Sequence, residues 1–378
     1  MKIAVLDWNF ICQRVWQSLP TRKIPWSRPS EAEEGVHRIC EWVYALYCEH
    51  QWDRLIIAMD AAPYWRHARM QAYFESIPVL VTKSATEPRY FAREGAAFYE
   101  LVPPGEGEDK ATLKAHGAPG EKEAETLRLE ETAAPWPIAW PTYKGNRAGR
   151  KWECETPREV FSTLKDRVAE RISRLLHGQV VAVPGAEADD VAAVVAYSGA
   201  NHDVLLLTGD GDWRFLLLRG PHMSLHNQYS GRREAWSEGL AEELRTGLYC
   251  KIIQGDSGDN VPGCARKDRK GRKNTAKAGA EKLIAEGGWE KARAELNDTQ
   301  LRRNADLMVL APGYIPAEVW EAIKAELKVR KQYSSEPMSW DALGLLPKER
   351  ERIEIAGGAA RIFGRWAIEP VAAAEAQA

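Results

Sequence analysis

The chain has 378 residues, enough for two domains of about 100 to 200 residues or for one large elaborated domain. Lys plus Arg number 52 and Asp plus Glu 54, a formal charge of -2, which excludes a uniformly basic, histone-like binder and an acidic disordered tail. With 44% hydrophobic and 28% charged residues the composition is globular; no apolar run nears the roughly 18 residues of a membrane span, and Asp7 comes too early for a signal sequence. The expectation is a cytoplasmic protein with no membrane partner. The six cysteines form no C-x-x-C pair and the eight histidines show no metal spacing, so the thiols are read as reduced and neither a zinc site nor a disulfide framework is indicated.

Along the chain, the apolar run Lys2 to Leu6 reads as a buried strand ending in Asp7, and Arg54 to Met59 as another ending in Asp60. Between them Val36, Ile39, Val43 and Leu46 recur at helical spacing over 31–48. A helix over 157–177, with Phe161, Leu164, Val168, Ile172 and Leu175 in one stripe, precedes a strand from Gln179 to Val183. Glu187-Ala188-Asp189-Asp190 then opens a helix, and a strand from Asp203 to Leu207 runs into Thr208-Gly209-Asp210-Gly211-Asp212. Strands alternating with helices predict an α/β fold with a mainly parallel sheet flanked by helices.

Residues 68–140 break this rhythm. They are rich in Pro, Gly, Ala and Glu, and from Glu100 to Glu131 nine acids face four bases, which reads as a partly disordered insertion or a mobile lid. The expected division is a core of 1–67 and 141–246, the insertion, a helical region of 247–370 with a basic loop at 265–277, and a frayed tail at 371–378. That loop holds seven Lys or Arg against one Asp.

The acids carry the chemistry. In a parallel sheet the carboxyl ends of the strands open on one edge, where ligands bind. Asp7, Asp60, Asp210 and Asp212 end strands; Glu187, Asp189 and Asp190 start a helix; Asp256 and Asp259 sit three apart in Gly255-Asp256-Ser257-Gly258-Asp259-Asn260-Val261-Pro262-Gly263. Any one such Asp is usually a turn or cap residue. Nine converging on one edge could not stay ionised without cations. An oxygen-only donor set selects a hard divalent ion, Mg²⁺ or Mn²⁺, and two of them suit phosphodiester hydrolysis.

The order and spacing of these five motifs resemble the metal-binding motifs of the 5'-nuclease (flap endonuclease) superfamily. Tyr64-Trp65-Arg66, Tyr143-Lys144-Gly145-Asn146-Arg147, 305–310 and Tyr314-Ile315-Pro316 are similar to segments of its T-even bacteriophage ribonuclease H (5' to 3' exonuclease) branch. The resemblance implies a PIN-like core with a C-terminal helix-three-turn-helix DNA-binding element. It further implies an enzyme that acts on 5' ends, flaps, forks and RNA:DNA hybrids during primer removal, in the host cytoplasm if phage-encoded. A first metal would take Asp60, Glu187, Asp189 and Asp210, with Asp7 and Asp190 close by through water; a second would take Asp212, Asp256 and Asp259.

Catalysis would involve Lys144, Arg147, Asp190 and Asp210. Nucleic acid would meet Tyr64, Arg66, Tyr143, Lys144, Arg147, Arg150 and Lys151, and Arg266, Lys267, Arg269, Lys270, Arg272, Lys273 and Lys277 of the basic loop, which replaces the family's usual G-x-G hairpin. The two tyrosines are read as base-stacking or core residues. A monomer is expected, with a single-strand binding protein or sliding clamp as open replication partners. The competing readings are a catalytically silent branched-DNA-binding module, a PIN-type ribonuclease and, more remotely, a D-x-D phosphatase.

Overall fold

A computed structural model describes residues 1–18, 29–82, 88–94, 97–116, 129–145, 178–264 and 277–329, with positions 165, 166, 168–170, 172, 173 and 176. The main sheet has six strands in the order β11-β10-β9-β1-β2-β8, built from β1 (Lys2–Asp7), β2 (Arg54–Ala58), β8 (Gly178–Val181), β9 (Asp203–Thr208), β10 (Met223–Asn227) and β11 (Arg233–Ala235). All pair in parallel except β11, which is antiparallel to β10 at the edge.

The near-continuous apolar runs follow from burial on both faces. Ile3, Val5, Ile56, Val204 and Leu206 point to one side, beneath α4 (Ala188–Ser198) and a 3-10 segment Asp212–Arg219. Ala4, Leu6, Leu55, Ile57, Leu205 and Leu207 point to the other, beneath α1 (Trp8–Ser18) and α2 (Pro29–His50). Val168 and Ile172, from the expected 157–177 helix, pack there too; the remainder of that stripe lies outside the described residues.

Since β1 sits centrally, with β2 on one side and β9 on the other, the chain reverses its direction of winding at β1. Reversals of this kind leave a crevice at the carboxyl ends of the strands. Asp7 ends β1, Asp60 follows β2, and Asp210 follows β9.

The described residues of 68–140 form regular structure. Here α3 (Trp65–Glu75) leads into a five-stranded antiparallel sheet, ordered β6-β5-β4-β3-β7, made of β3 (Val79–Thr82), β4 (Tyr90–Glu94), β5 (Ala97–Val102), β6 (Thr112–His116) and β7 (Leu129–Thr132). One face of it, with Val79, Ala92 and Leu101, packs with Met70 and Phe74 of α3, Leu307 and Tyr143. Leu80, Phe91, Phe98 and Leu129 cluster on the other. Three of the acids that suggested disorder, Glu100, Glu130 and Glu131, lie in strands among these apolar positions; Glu100 is in register with Phe91 and Lys114. Alternation with period two is what a charge count overlooks.

The C-terminal helices also depart from the expected division. Helix α5 (Glu238–Gln254) runs unbroken through position 247, contributing Leu244 to the main core and Ile252 and Ile253 to a second cluster with α6 (Lys277–Glu295) and α7 (Asp298–Met308). Helix α8 (Ala317–Lys328) returns to the main sheet, where Val319 and Ile323 join its core and the Leu327 carbonyl accepts from Arg54 at 2.8 Å. The boundary at 247 therefore cuts through one helix, and part of 247–370 belongs to the first core. Residues 265–276, which would complete a helix-three-turn-helix, lie outside the described residues, as does the tail 371–378.

Candidate metal centre

Asp7 is buried where β1 gives way to α1. Its Oδ2 accepts from the Thr208 hydroxyl at 2.7 Å and its Oδ1 from the Phe10 N–H at 3.1 Å. Burial pushes its pKa up to about 7; the charges of Asp210 and Asp60 add to this, against the opposing Thr208 and Phe10 bonds. Asp60 accepts the Ala188 N–H at 2.8 Å, which ties the end of β2 to the start of α4. Asp189, one residue on, accepts the Trp213 indole N–H at 2.7 Å. Burial, then Asp210 and Glu187, raise its pKa well above the usual carboxylate range.

Asp210 stands at the mouth of the crevice, partly open to solvent, and its pKa is raised by the surrounding protein and by Asp212. Its Oδ1 accepts the Asp212 N–H at 2.8 Å. The chain then delivers the last pair from the turn after α5. Asp256 takes N–H bonds from Gly258 and Asp259, at 2.7 and 3.2 Å, and Asp259 accepts the Tyr143 hydroxyl at 2.7 Å. Charge coupling links Asp7 to Asp60 and Asp210, and Asp210 to Asp189, Asp212 and Asp259, so these acids face one crevice, although among the described residues no three of them bring donor atoms within 4.8 Å of one another.

Three cations are woven into this cluster. Arg66 is buried, bonding Glu187 Oε2 at 2.8 Å and both oxygens of Asp190, while its Nε donates to the Leu307 carbonyl at 2.9 Å. Lys144, at a positive φ of 54°, ion-pairs with Glu187. Lys251 of α5 bridges Asp212 and Asp256, the latter at 3.0 Å. Burial lifts the Glu187 carboxyl, but Arg66 and Lys144 more than offset that and hold it below the ordinary range.

These contacts correct three expectations. Arg66 and Tyr143 do not face nucleic acid: both are buried, and the Tyr143 hydroxyl donates to Glu187 at 3.0 Å as well as to Asp259. Asp190 is fully buried, and its Oδ2 also accepts from the Trp65 indole at 3.0 Å and the Glu187 N–H at 2.9 Å. Both its oxygens are occupied by protein donors, so it is a positioning residue. It completes the capping box that aims Glu187.

Tyr64 keeps an exposed side, stacked on His67 at 5.9 Å with the Lys144 ammonium 5.3 Å from its ring. Lys277 is exposed at the start of α6, 3.8 Å from Glu281. Arg147, Arg150, Lys151 and the basic positions from Arg266 to Lys273 lie outside the described residues. Sequence reasoning missed Lys251, Thr208 and Trp213. Lys251 precedes Asp256 by five residues on a helix that leads into the turn, a spacing that could have marked it.

Nine carboxylates thus share three paired cations, Arg66, Lys144 and Lys251, among the described residues. Burial first, and neighbouring acids after it, push Asp7, Asp189 and Asp210 above the ordinary carboxylate range. Oxygen donors in this number fit hard divalent ions.

No family model and no curated protein sequence matches the chain. Solved structures do. A bacteriophage T5 D15 protein co-crystallised with metal ions aligns at 17% identity over 88% of this chain and 100% of its own, with a TM-score of 0.51. The chain shares the fold of this T5 protein. A T5 D15 flap endonuclease variant in complex with DNA and metal ions aligns with a TM-score of 0.53 at the same identity and coverage. A T5 5'-exonuclease with bound divalent zinc aligns at 0.52.

Proposed function

We propose that the chain is a Mg²⁺-dependent 5' to 3' exonuclease and flap endonuclease with RNase H activity, serving primer removal in phage-type DNA replication. The carrying observation is the under-neutralised carboxylate crevice at the carboxyl edge of a 5'-nuclease-type sheet. Asp60, Glu187, Asp189 and Asp210 would hold one ion, with Asp7 behind them, and Asp212, Asp256 and Asp259 the other; Mn²⁺ would substitute. When bound, two such ions lower the pKa of a water and stabilise the leaving oxygen in phosphodiester hydrolysis.

The chain's own residues do the rest. Arg66 and Asp190 hold Glu187 in place from behind. Lys144, flanked by the Tyr64 and Tyr143 rings at 5.3 and 5.1 Å, offers a point charge to the scissile phosphate once it leaves Glu187, with Arg147 three residues further along the sequence. Tyr64 offers a face for a terminal base, a contact worth about 1 to 3 kcal/mol in single-strand binders. The basic loop would grip the duplex through its phosphates. DNA with 5' ends, flaps or forks and RNA:DNA hybrids are the proposed partners of a monomeric enzyme.

The deciding experiment incubates the purified protein with 5'-flap, nicked-duplex and RNA:DNA substrates in Mg²⁺ or EDTA and sizes the products. Short 5'-derived products that vanish in EDTA are expected. Intact substrates in Mg²⁺ together with tight binding to branched DNA would instead favour the silent binding module.

A further inference from the structure

Where α2 ends against the edge of the main sheet, two histidines 176 residues apart meet: His50 Nε2 lies 2.8 Å from His226 Nδ1. Glu49 Oε1 completes a triangle with them, 3.0 Å from the first nitrogen and 3.5 Å from the second. Those edges give a circumscribed radius of about 1.8 Å, inside the 2.0 to 2.2 Å that zinc keeps from nitrogen and carboxylate oxygen. An ion placed about 1 Å above the plane would therefore reach all three atoms at once. A tetrahedral centre presents a face of nearly this size.

We propose that Glu49, His50 and His226 form a second metal site, distinct from the carboxylate crevice, which takes one borderline transition-metal ion such as Zn²⁺. Two imidazoles and one carboxylate select such an ion and disfavour Mg²⁺, so the site and the crevice differ in the chemistry they recognise. None of the nine crevice acids is among its donors. Both histidine side chains are 10% exposed and that of Glu49 35%, so the ion is walled on the protein side and open to solvent at its remaining position.

Three neighbours bear on the site. Arg233 pairs with the same Glu49 oxygen, but its side chain is 63% exposed and can turn into solvent, and an exposed pair of this kind contributes at most about 1 kcal/mol. Lys2 Nζ donates to the His50 carbonyl at 2.6 Å, on the backbone and away from the ring. The Gln228 amide donates to the His226 carbonyl at 3.2 Å, likewise leaving Nδ1 to the site. The competing account is a plain His–His hydrogen bond beside an ion pair. It makes no use of the third vertex and predicts no metal affinity. Because Glu49 and His50 end α2 while His226 lies in β10, which pairs with β11, the ion would pin that helix to the sheet edge and act as a structural staple.

The test uses the full chain, stripped by chelator and held in excess Mg²⁺ to fill the crevice, titrated with Co²⁺ as a visible probe of imidazole coordination. One equivalent should bind with an intense low-symmetry band and be displaced by one equivalent of Zn²⁺. The band should persist when Asp210→Asn and Asp212→Asn are combined. It should be lost in His50→Gln and in Glu49→Gln, with Zn²⁺ affinity falling by more than about tenfold, the lower bound that even an outer-sphere partner carries. His226→Gln alters a core strand, so the two more accessible variants, checked by circular dichroism, decide the matter. A band that survives His50→Gln, a band that disappears only with the crevice acids, or no binding in the parent chain would each overturn the proposal.

Discussion

Individual carboxylates in the crevice have separate fates, and substitution should separate them. Asp210 faces the opening and carries no buried ion pair among the described residues, so Asp210→Asn should abolish cleavage while leaving DNA affinity and melting temperature nearly unchanged; retained activity in the purified variant would remove it from the site. Asp190→Asn should behave differently. It strips the charge facing the buried Arg66 guanidinium, leaving Glu187 as the sole acid on that cation among the described contacts. A loss of about 3 kcal/mol in urea denaturation is expected, the low end for breaking a buried pair because Glu187 remains. Asp7, Asp60 and Asp210 were legible in the sequence because each ends a recognisable strand or stands within two residues of its end. The burial of Arg66 was not, since its partner Glu187 lies 121 residues away.

Elements impose their own demands on the site. The turn after α5 carries Asp256 and Asp259, and Gly255 opens it at a φ of 71°. A Cβ there would stand 2.3 Å from the Val261 carbonyl oxygen and 2.6 Å from the Pro262 carbonyl carbon, both backbone atoms that cannot swing away. Gly255→Ala should therefore displace both acids, weakening Mn²⁺ binding by about tenfold or more in calorimetry while leaving helix content intact. A buried ion pair adds to the packing that holds the second sheet. Glu94 at the end of β4 pairs with Arg303 of α7, both buried, and also accepts from Tyr73 at 2.8 Å, Tyr99 at 3.0 Å and Gln300 at 2.7 Å. Arg303→Met should cost about 3 to 5 kcal/mol, because it leaves Glu94 buried without its counter-ion. Replacing Glu94 by Gln in the same chain should restore part of that stability, and no recovery in denaturant titration would count against the pair as the anchor. A composition rich in acids could announce neither the sheet nor its anchor, since both depend on which side of a strand each acid faces.

For the molecule as a whole, the crevice couples stability to pH and to metal. Asp7 has an ordinary pKa of 3.8 raised to about 7, so the folded chain holds its proton more tightly than the unfolded one. The stability contributed is present below about pH 4 and is lost as pH rises through about 7. Asp189 and Asp210 shift the same way, whereas Glu187 and Asp256 are held low and act only in the acid range. Bound cations reverse the sign by favouring the carboxylates and expelling their protons. The melting temperature gained on adding Mg²⁺ should thus be larger at pH 8 than at pH 6.5, and a gain independent of pH would contradict the clustering. Strand runs, helical stripes and the order of the acidic motifs were readable along the chain because each depends on residues near one another in sequence. The pairing of Arg66 with Asp190, the enclosure of Tyr143 and the meeting of His50 with His226 became visible only after folding. Burial and proximity across many residues arise from packing, and no local pattern of side chains records them.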